Sequence, residues 1–141
     1  MANASKFNQF VEDLGLGVHN FNADQLNVAL YQDTASITAA SGPLLGNLSN
    51  EVTGTGYTTK GKDITNTWSE TTGTATCGAS SPAAWTAGAS DWDSIQYAVV
   101  FNEDATGPDE LVMYWDNGST IDLTADDTFT FTITTSIFTL A

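Results

Sequence analysis

Hydrophobic and polar residues alternate with a period of two through much of the last third of the chain. In IQYAVVF, residues 95–101, Ile95, Tyr97, Val99 and Phe101 share one face and Gln96, Ala98 and Val100 the other. A strand that can be buried on both faces belongs in the middle of a sheet. Residues 111–115, LVMYW, alternate likewise, and Asp116-Asn117-Gly118 behind them predicts a hairpin turn, because Asn-Gly tolerates positive φ. Ile121 and Leu123 then make a short return strand, Asp126-Asp127 turns the chain, and TFTFTITT sets Phe129, Phe131 and Ile133 against a face of threonines. Upstream, NVALY, residues 27–31, reads as the first strand. A polar strand through Ile64, Thr65 and Trp68 and a return through Ala75 and Cys77 predict a second hairpin about Thr72-Gly73.

One segment has helical spacing instead. Phe7, Phe10, Val11 and Leu14 fall at i, i+3, i+4 and i+7, which predicts a helix over about residues 4–14, capped by Asn3 or Ser5 and stopped by Gly15 and Gly17. Three turns do not hold together alone in water, so this helix must dock, on its own domain or on a neighbouring subunit. Residues 32–51 form a long connection broken at Gly42-Pro43 and Asn47 and anchored by Leu44, Leu45 and Leu48; connections of that length are functional or mobile more often than short ones. Trp85 and Trp92 stand in a Ser/Ala/Gly background, where they plug a sheet edge or a loop base. The pattern predicts a single domain, residues 1–141, of all-β class: an antiparallel β-sandwich of eight strands with jelly-roll or Greek-key-like wiring and one short N-terminal helix.

Charge narrows the partners. Seventeen acids against three Lys+Arg give a formal net charge of −14, so a phosphate backbone would meet almost no counter-charge, and neither nucleic acid nor an anionic membrane is expected as a partner. The N-terminus has neither the basic region nor the apolar run of a secretion signal, and no segment approaches membrane-spanning length, so synthesis without classical export is expected. The single Cys77 excludes an internal disulfide and reads as a buried apolar residue.

No catalytic motif stands out, and no cofactor or enzymatic activity is expected. His19 is the only histidine and lies beside the expected helix stop, and the carboxylate pairs Asp91/Asp93 and Glu103/Asp104 read as solvated loops. The loop from Asn102 to Glu110, with Asp116 and Asp126-Asp127 on neighbouring turns, offers oxygens to a hard cation, but its spacing is not that of an EF-hand, and solvation is the favoured reading.

The opening MANASKFNQFVEDLGLGVHNFNADQLNVAL, the GTGYTTKG segment at 54–61, the runs YAVVFNEDAT and LVMYWDNGSTIDLTADDTFTF, and the ending Ser136 to Ala141 together resemble small acidic structural proteins of tailed bacteriophages. The resemblance covers nearly the whole chain, although Ser136 stands where that pattern leads one to expect glycine. Some such proteins look like capsid decoration, or cement, proteins. The resemblance therefore implies a homotrimer assembled in the host cytoplasm and bound to the major capsid protein on the outer surface of the virion, where it stabilises the head. Within the same class a tail or head-to-tail component is the alternative, and outside it a β-sandwich binding glycans through an exposed Trp85 or Trp92. For a trimer or capsid interface the candidate residues are Phe7, Phe10, Val11, Leu14, Leu44, Leu45, Trp85 and Trp92, with residues 32–51 reaching the capsid or an adjacent protomer.

Overall fold

A computed structural model describes residues 4–103 and 108–141. The chain folds as a mostly antiparallel all-β protein with one short helix near its N-terminus. In order it forms β1 (Ala4–Lys6), α1 (Asn8–Leu16), β2 (Leu26–Gln32), β3 (Lys62–Ile64), β4 (Asn66–Thr71), β5 (Thr74–Ala79), β6 (Trp85–Thr86), β7 (Trp92–Asn102), β8 (Glu110–Leu123), β9 (Thr128–Phe129) and β10 (Ser136–Leu140). The sheet orders are β1-β8-β7-β2-β3, β10-β5-β4 and β6-β9, so the described residues contain ten strands where eight were expected. As its two-faced apolar pattern predicts, β7 lies at the centre of the largest sheet and is buried along residues 97–102.

The Asp116-Asn117-Gly118 hairpin is not formed. Between Ile95 and Tyr97 of β7 the partner on β8 moves from Ile121 to Asp116, so residues 117–120 bulge out of a strand that then continues. Local bonds close the bulge. Gly118, at φ +71, donates its N–H to Asp116 Oδ1 at 2.7 Å, and Asn117 Nδ2 donates to Ser119 O at 2.9 Å. The positive φ expected of Asn-Gly is thus present, but it serves a bulge, which twists a strand without reversing it. The Thr72-Gly73 hairpin does form. Thr71 pairs with Thr74, and both turn residues have positive φ, 51° and 86°, as a type I′ turn requires.

The segment TFTFTITT is paired only at Thr128–Phe129. Beyond it Phe131 is buried against Trp115, with ring centroids 5.1 Å apart, and the Ile133 N–H is taken up by Ser81 Oγ at 2.9 Å, so side chains satisfy what a ladder was expected to. The expected strand through Ile64 and Trp68 is split at Thr65. Ile64 pairs with Leu26 in the large sheet and Asn66 with Ala79 in the three-stranded one. Asn66 fixes this corner, its Nδ2 donating to Phe21 O at 2.9 Å and Asp24 O at 3.2 Å.

The helix starts later than expected. Residues 4–6 are strand, Ser5 pairs with Tyr114 rather than capping, and Asn3 lies outside the described residues. No side chain caps α1; the Asn8 N–H instead meets the carbonyl of Ala39 at 2.8 Å, a partner from the long connection. Gly17 ends the helix in the left-handed region at φ +70, with Val18 N–H bonded to Asp13 O and Gly17 N–H to Leu14 O. Gly15 lies inside the helix.

Residues 32–51 are held close to the sheets. Two short 3-10 turns, Asp33–Ala35 and Leu45–Asn47, carry the segment, Ile37 and Leu45 are buried, and Gln32 N donates to Asn50 O at 3.0 Å. The following loop is pinned by Tyr57. Its hydroxyl donates to Glu51 Oε1 at 2.9 Å and accepts the Leu30 N–H at 2.9 Å, while the Lys60 N–H bonds the same carboxyl oxygen at 2.6 Å. Removing the hydroxyl strands the buried Leu30 N–H. Tyr57→Phe is therefore expected to lower stability by about 1–3 kcal/mol in urea unfolding; a midpoint equal to that of the unaltered protein would show that the pin carries nothing.

Candidate functional site

Most of the residues expected at an interface lie in the interior of this chain. Phe7 is wholly buried; its ring lies 5.0 Å from that of Tyr114, and its N–H continues the β1–β8 ladder by bonding Val112 O. Phe10 is buried in an aromatic cluster 5.1 Å from Phe138, 6.1 Å from Phe21 and 5.5 Å from the His19 ring, and Trp68 stacks on Phe21 at 5.7 Å. Leu14 is half-buried against the same core. Val11, expected on that stripe, is instead 51% exposed, while Asp13 is buried. The docking register therefore turns the helix so that Asp13 accompanies Phe10 inward.

Leu45 is buried, and Leu44 is half-buried beside Glu110, with which it forms a bridge. Trp92 is wholly buried, its Nε1–H bonded to Thr55 O at 3.1 Å and its ring edge-on to Tyr57. Trp85 is wholly buried near Phe129, with the Lys62 ammonium 5.5 Å from the centre of its ring. Neither tryptophan is exposed, so the glycan reading loses the side chains it relied on. The large apolar side chains that are exposed among the described residues are Val11, Leu16 and Leu140. Periodicity singled out only the first; Leu16 and Leu140 lie at the ends of elements whose limits it missed.

The acids are satisfied mainly by backbone. Ser94 N–H bonds Asp122 Oδ1 at 2.7 Å, Ala125 N–H bonds Asp91 Oδ1 at 3.2 Å, and Thr34 N–H bonds Asp33 Oδ1 at 2.7 Å. Asp127 accepts both the N–H and the hydroxyl of Thr124, which holds its carboxyl below the usual range. A chain with three cations folds its carboxylates into turns in this way. One ion pair occurs among the described residues, Lys60 Nζ to Asp109 Oδ2 at 2.8 Å, and Lys62 Nζ donates to Ala84 O at 2.8 Å. Among the described residues no group of three His, Cys, Asp or Glu is placed to hold a metal ion. Asp104 and residues 105–107 of the acidic loop lie outside them.

His19 accepts a hydrogen bond at Nδ1 from Asn102 Nδ2 at 3.1 Å, which leaves the proton of the neutral ring on Nε2. Burial lowers its pKa below 6.5, although Asp13 and Asp24 oppose the shift. Burial also pushes the Cys77 thiol up to about 12, so near neutral pH it is a protonated thiol and a poor nucleophile. Compared with protein-family models, with curated proteins and with solved structures, the chain has no match.

Proposed function

We propose that this protein is a structural component of a tailed-phage virion, binding as a trimer to the outer surface of the major capsid protein lattice and stabilising the head. The resemblance set out above motivates the reading. The observation that carries it is the charge balance: seventeen acids against three Lys+Arg, with Lys60 in the one ion pair among the described residues. Such a surface keeps one trimer from aggregating with another before assembly and is complementary to a shell that presents Lys or Arg. Edge strands β1 and β3 are only three residues each, which limits edge-to-edge aggregation of the free protein.

With Val11, Leu16 and Leu140 as the exposed large apolar side chains among the described residues, the footprint is largely polar, built from threonines and carboxylates around those three. For the architecture we favour an open β-sandwich with Greek-key-like wiring, in which the five-stranded and three-stranded sheets face one another. The aromatic cluster of Phe10, Phe21, Trp68 and Phe138 joins residues of the three-stranded sheet to α1 and the connection before β2, which supports it.

Mixing purified protein with undecorated heads at low and high salt tests the proposal. Saturable binding over the shell is expected, with association slowed at high salt, and sedimentation of the free protein should report a trimer. Immunogold label confined to the tail, or no binding to the shell at low salt, overturns the capsid reading.

A further inference from the structure

Polar side chains gather beneath α1 at one end of the large sheet. Asp13 comes from the helix, His19 and Asp24 from the connection to β2, Asn102 from the end of β7 and Glu110 from the start of β8. Asn102 and Glu110 are register partners, so they leave the sheet on the same face. Asn102 Nδ2 donates to Asp24 Oδ2 at 2.6 Å as well as to His19, and Gln9 Nε2 donates to Asp13 Oδ1 at 3.1 Å. Asp13 and Glu110 are only 6% and 7% exposed, yet Asp13 Oδ2 and Glu110 Oε2 accept no hydrogen bond among the described residues. His19 Nε2 is likewise buried and unpartnered. The nearby ammonium group of Lys60 is engaged by Asp109.

A buried carboxyl with a donorless oxygen, as at Glu110, is costly to ionise beside other carboxyl groups, because an ionised carboxylate only accepts hydrogen bonds. We propose that this cluster is a proton-operated latch: a proton taken up by Glu110 fastens α1 and residues 17–24 onto the ends of β7 and β8, and its loss as pH rises loosens them. Protonation removes one negative charge facing Asp13, Asp24 and Asp109 and turns an acceptor oxygen into an O–H donor. Burial raises the Glu110 carboxyl above its ordinary value; its own backbone N–H opposes the shift, and the charges of Asp13, Asp109 and Asp24 add to it. Glu103, bonded by Asn27 Nδ2 at 3.0 Å, the Asp109–Lys60 pair, Glu12 on α1, Lys6 on β1 and Asp63, the register partner of Asn27, are further charged groups on the elements packed at this end.

The sign follows. Between the unfolded and folded pKa values of Glu110 the folded chain binds more proton than the unfolded one, so stability falls as pH rises through that window and stays low above it. His19 acts in the opposite sense: its folded pKa lies below 6.5, so its charging destabilises the fold as pH falls below that value. Comparing the protein with Glu110→Gln, each at several pH values, separates the two, because the histidine contribution is common to both.

Thermal melting of the full chain and of Glu110→Gln from about pH 4.5 to about pH 8 is the test. The variant is expected to melt about 3–6 °C above the unaltered protein near pH 8, with the difference shrinking toward zero at the acid end. A variant that melts no higher near pH 8, or a difference that does not change with pH, overturns the latch. Because the chain has a single histidine, its ring resonances also provide a readout that needs no substitution. In the unaltered protein they should show a second inflection from Glu110 beside their own, and one inflection alone across the range overturns the proposal even if the variant fails to fold.

Discussion

Gly61→Ala is expected to destabilise the protein by about 3–5 kcal/mol, enough to remove much of the stability of a typical domain. Two costs add. Gly61 sits at φ +70, where a residue with a Cβ is disfavoured by roughly 1–2 kcal/mol. A Cβ there would also fall 1.8 Å from the carbonyl oxygen of Val28, in the strand that pairs with β7, so the strand or the loop must move. Gly118→Ala isolates the first cost, because Gly118 has nearly the same φ, +71, and nothing within 4 Å of the added carbon. Chemical denaturation of both variants should show a loss of about 1–2 kcal/mol for Gly118→Ala and the larger loss for Gly61→Ala. Equal losses would mean that the approach to β2 relaxes freely.

Phe10→Ala should cost about 3–5 kcal/mol in the isolated chain, without any partner present. The ring is buried among Phe21, Phe138 and His19, and its loss leaves a cavity between α1, the connection before β2 and β10. This distinguishes a core residue from an interface residue, since truncating an interface side chain weakens assembly and leaves the free subunit nearly as stable. Val11→Ala, at a position 51% exposed, should behave in that second way, with a stability change within about 0.5 kcal/mol. Denaturation midpoints of the two variants, measured alongside sedimentation, check both expectations. A Phe10→Ala chain as stable as its parent would return that ring to the interface.

Much of the strand content was readable because period-two alternation states directly which residues share a face. Residues 27–31 and 95–101 lie within β2 and β7, and the Thr72-Gly73 turn joins β4 to β5. The candidate site was much less readable. An apolar residue is equally suited to a core and to an interface, so Phe7, Phe10, Trp85 and Trp92 carried no label of which they served. Likewise a helical stripe does not state its docking angle, so Val11, expected inward, is exposed and Asp13 is buried.

By itself, then, the sequence determined the all-β class, the central place of residues 95–101, a glycine stop for the helix, at Gly15 or Gly17, and the acidic balance. These depend on local periodicity, on the left-handed conformation that glycine tolerates, and on composition. The tertiary structure alone decided that Asp116-Asn117-Gly118 makes a bulge, that the chain changes sheet at Thr65, that Ala39 caps α1 and that Glu110 is buried near Asp13 and Asp24. In each of these the deciding partner is distant in sequence: β7 for the bulge, Phe21 and Asp24 for the corner, residue 39 for residue 8, and β8 for the helix. A local pattern shows what a segment is able to form, and the distant partner selects among the possibilities by satisfying its hydrogen bonds and covering its apolar face.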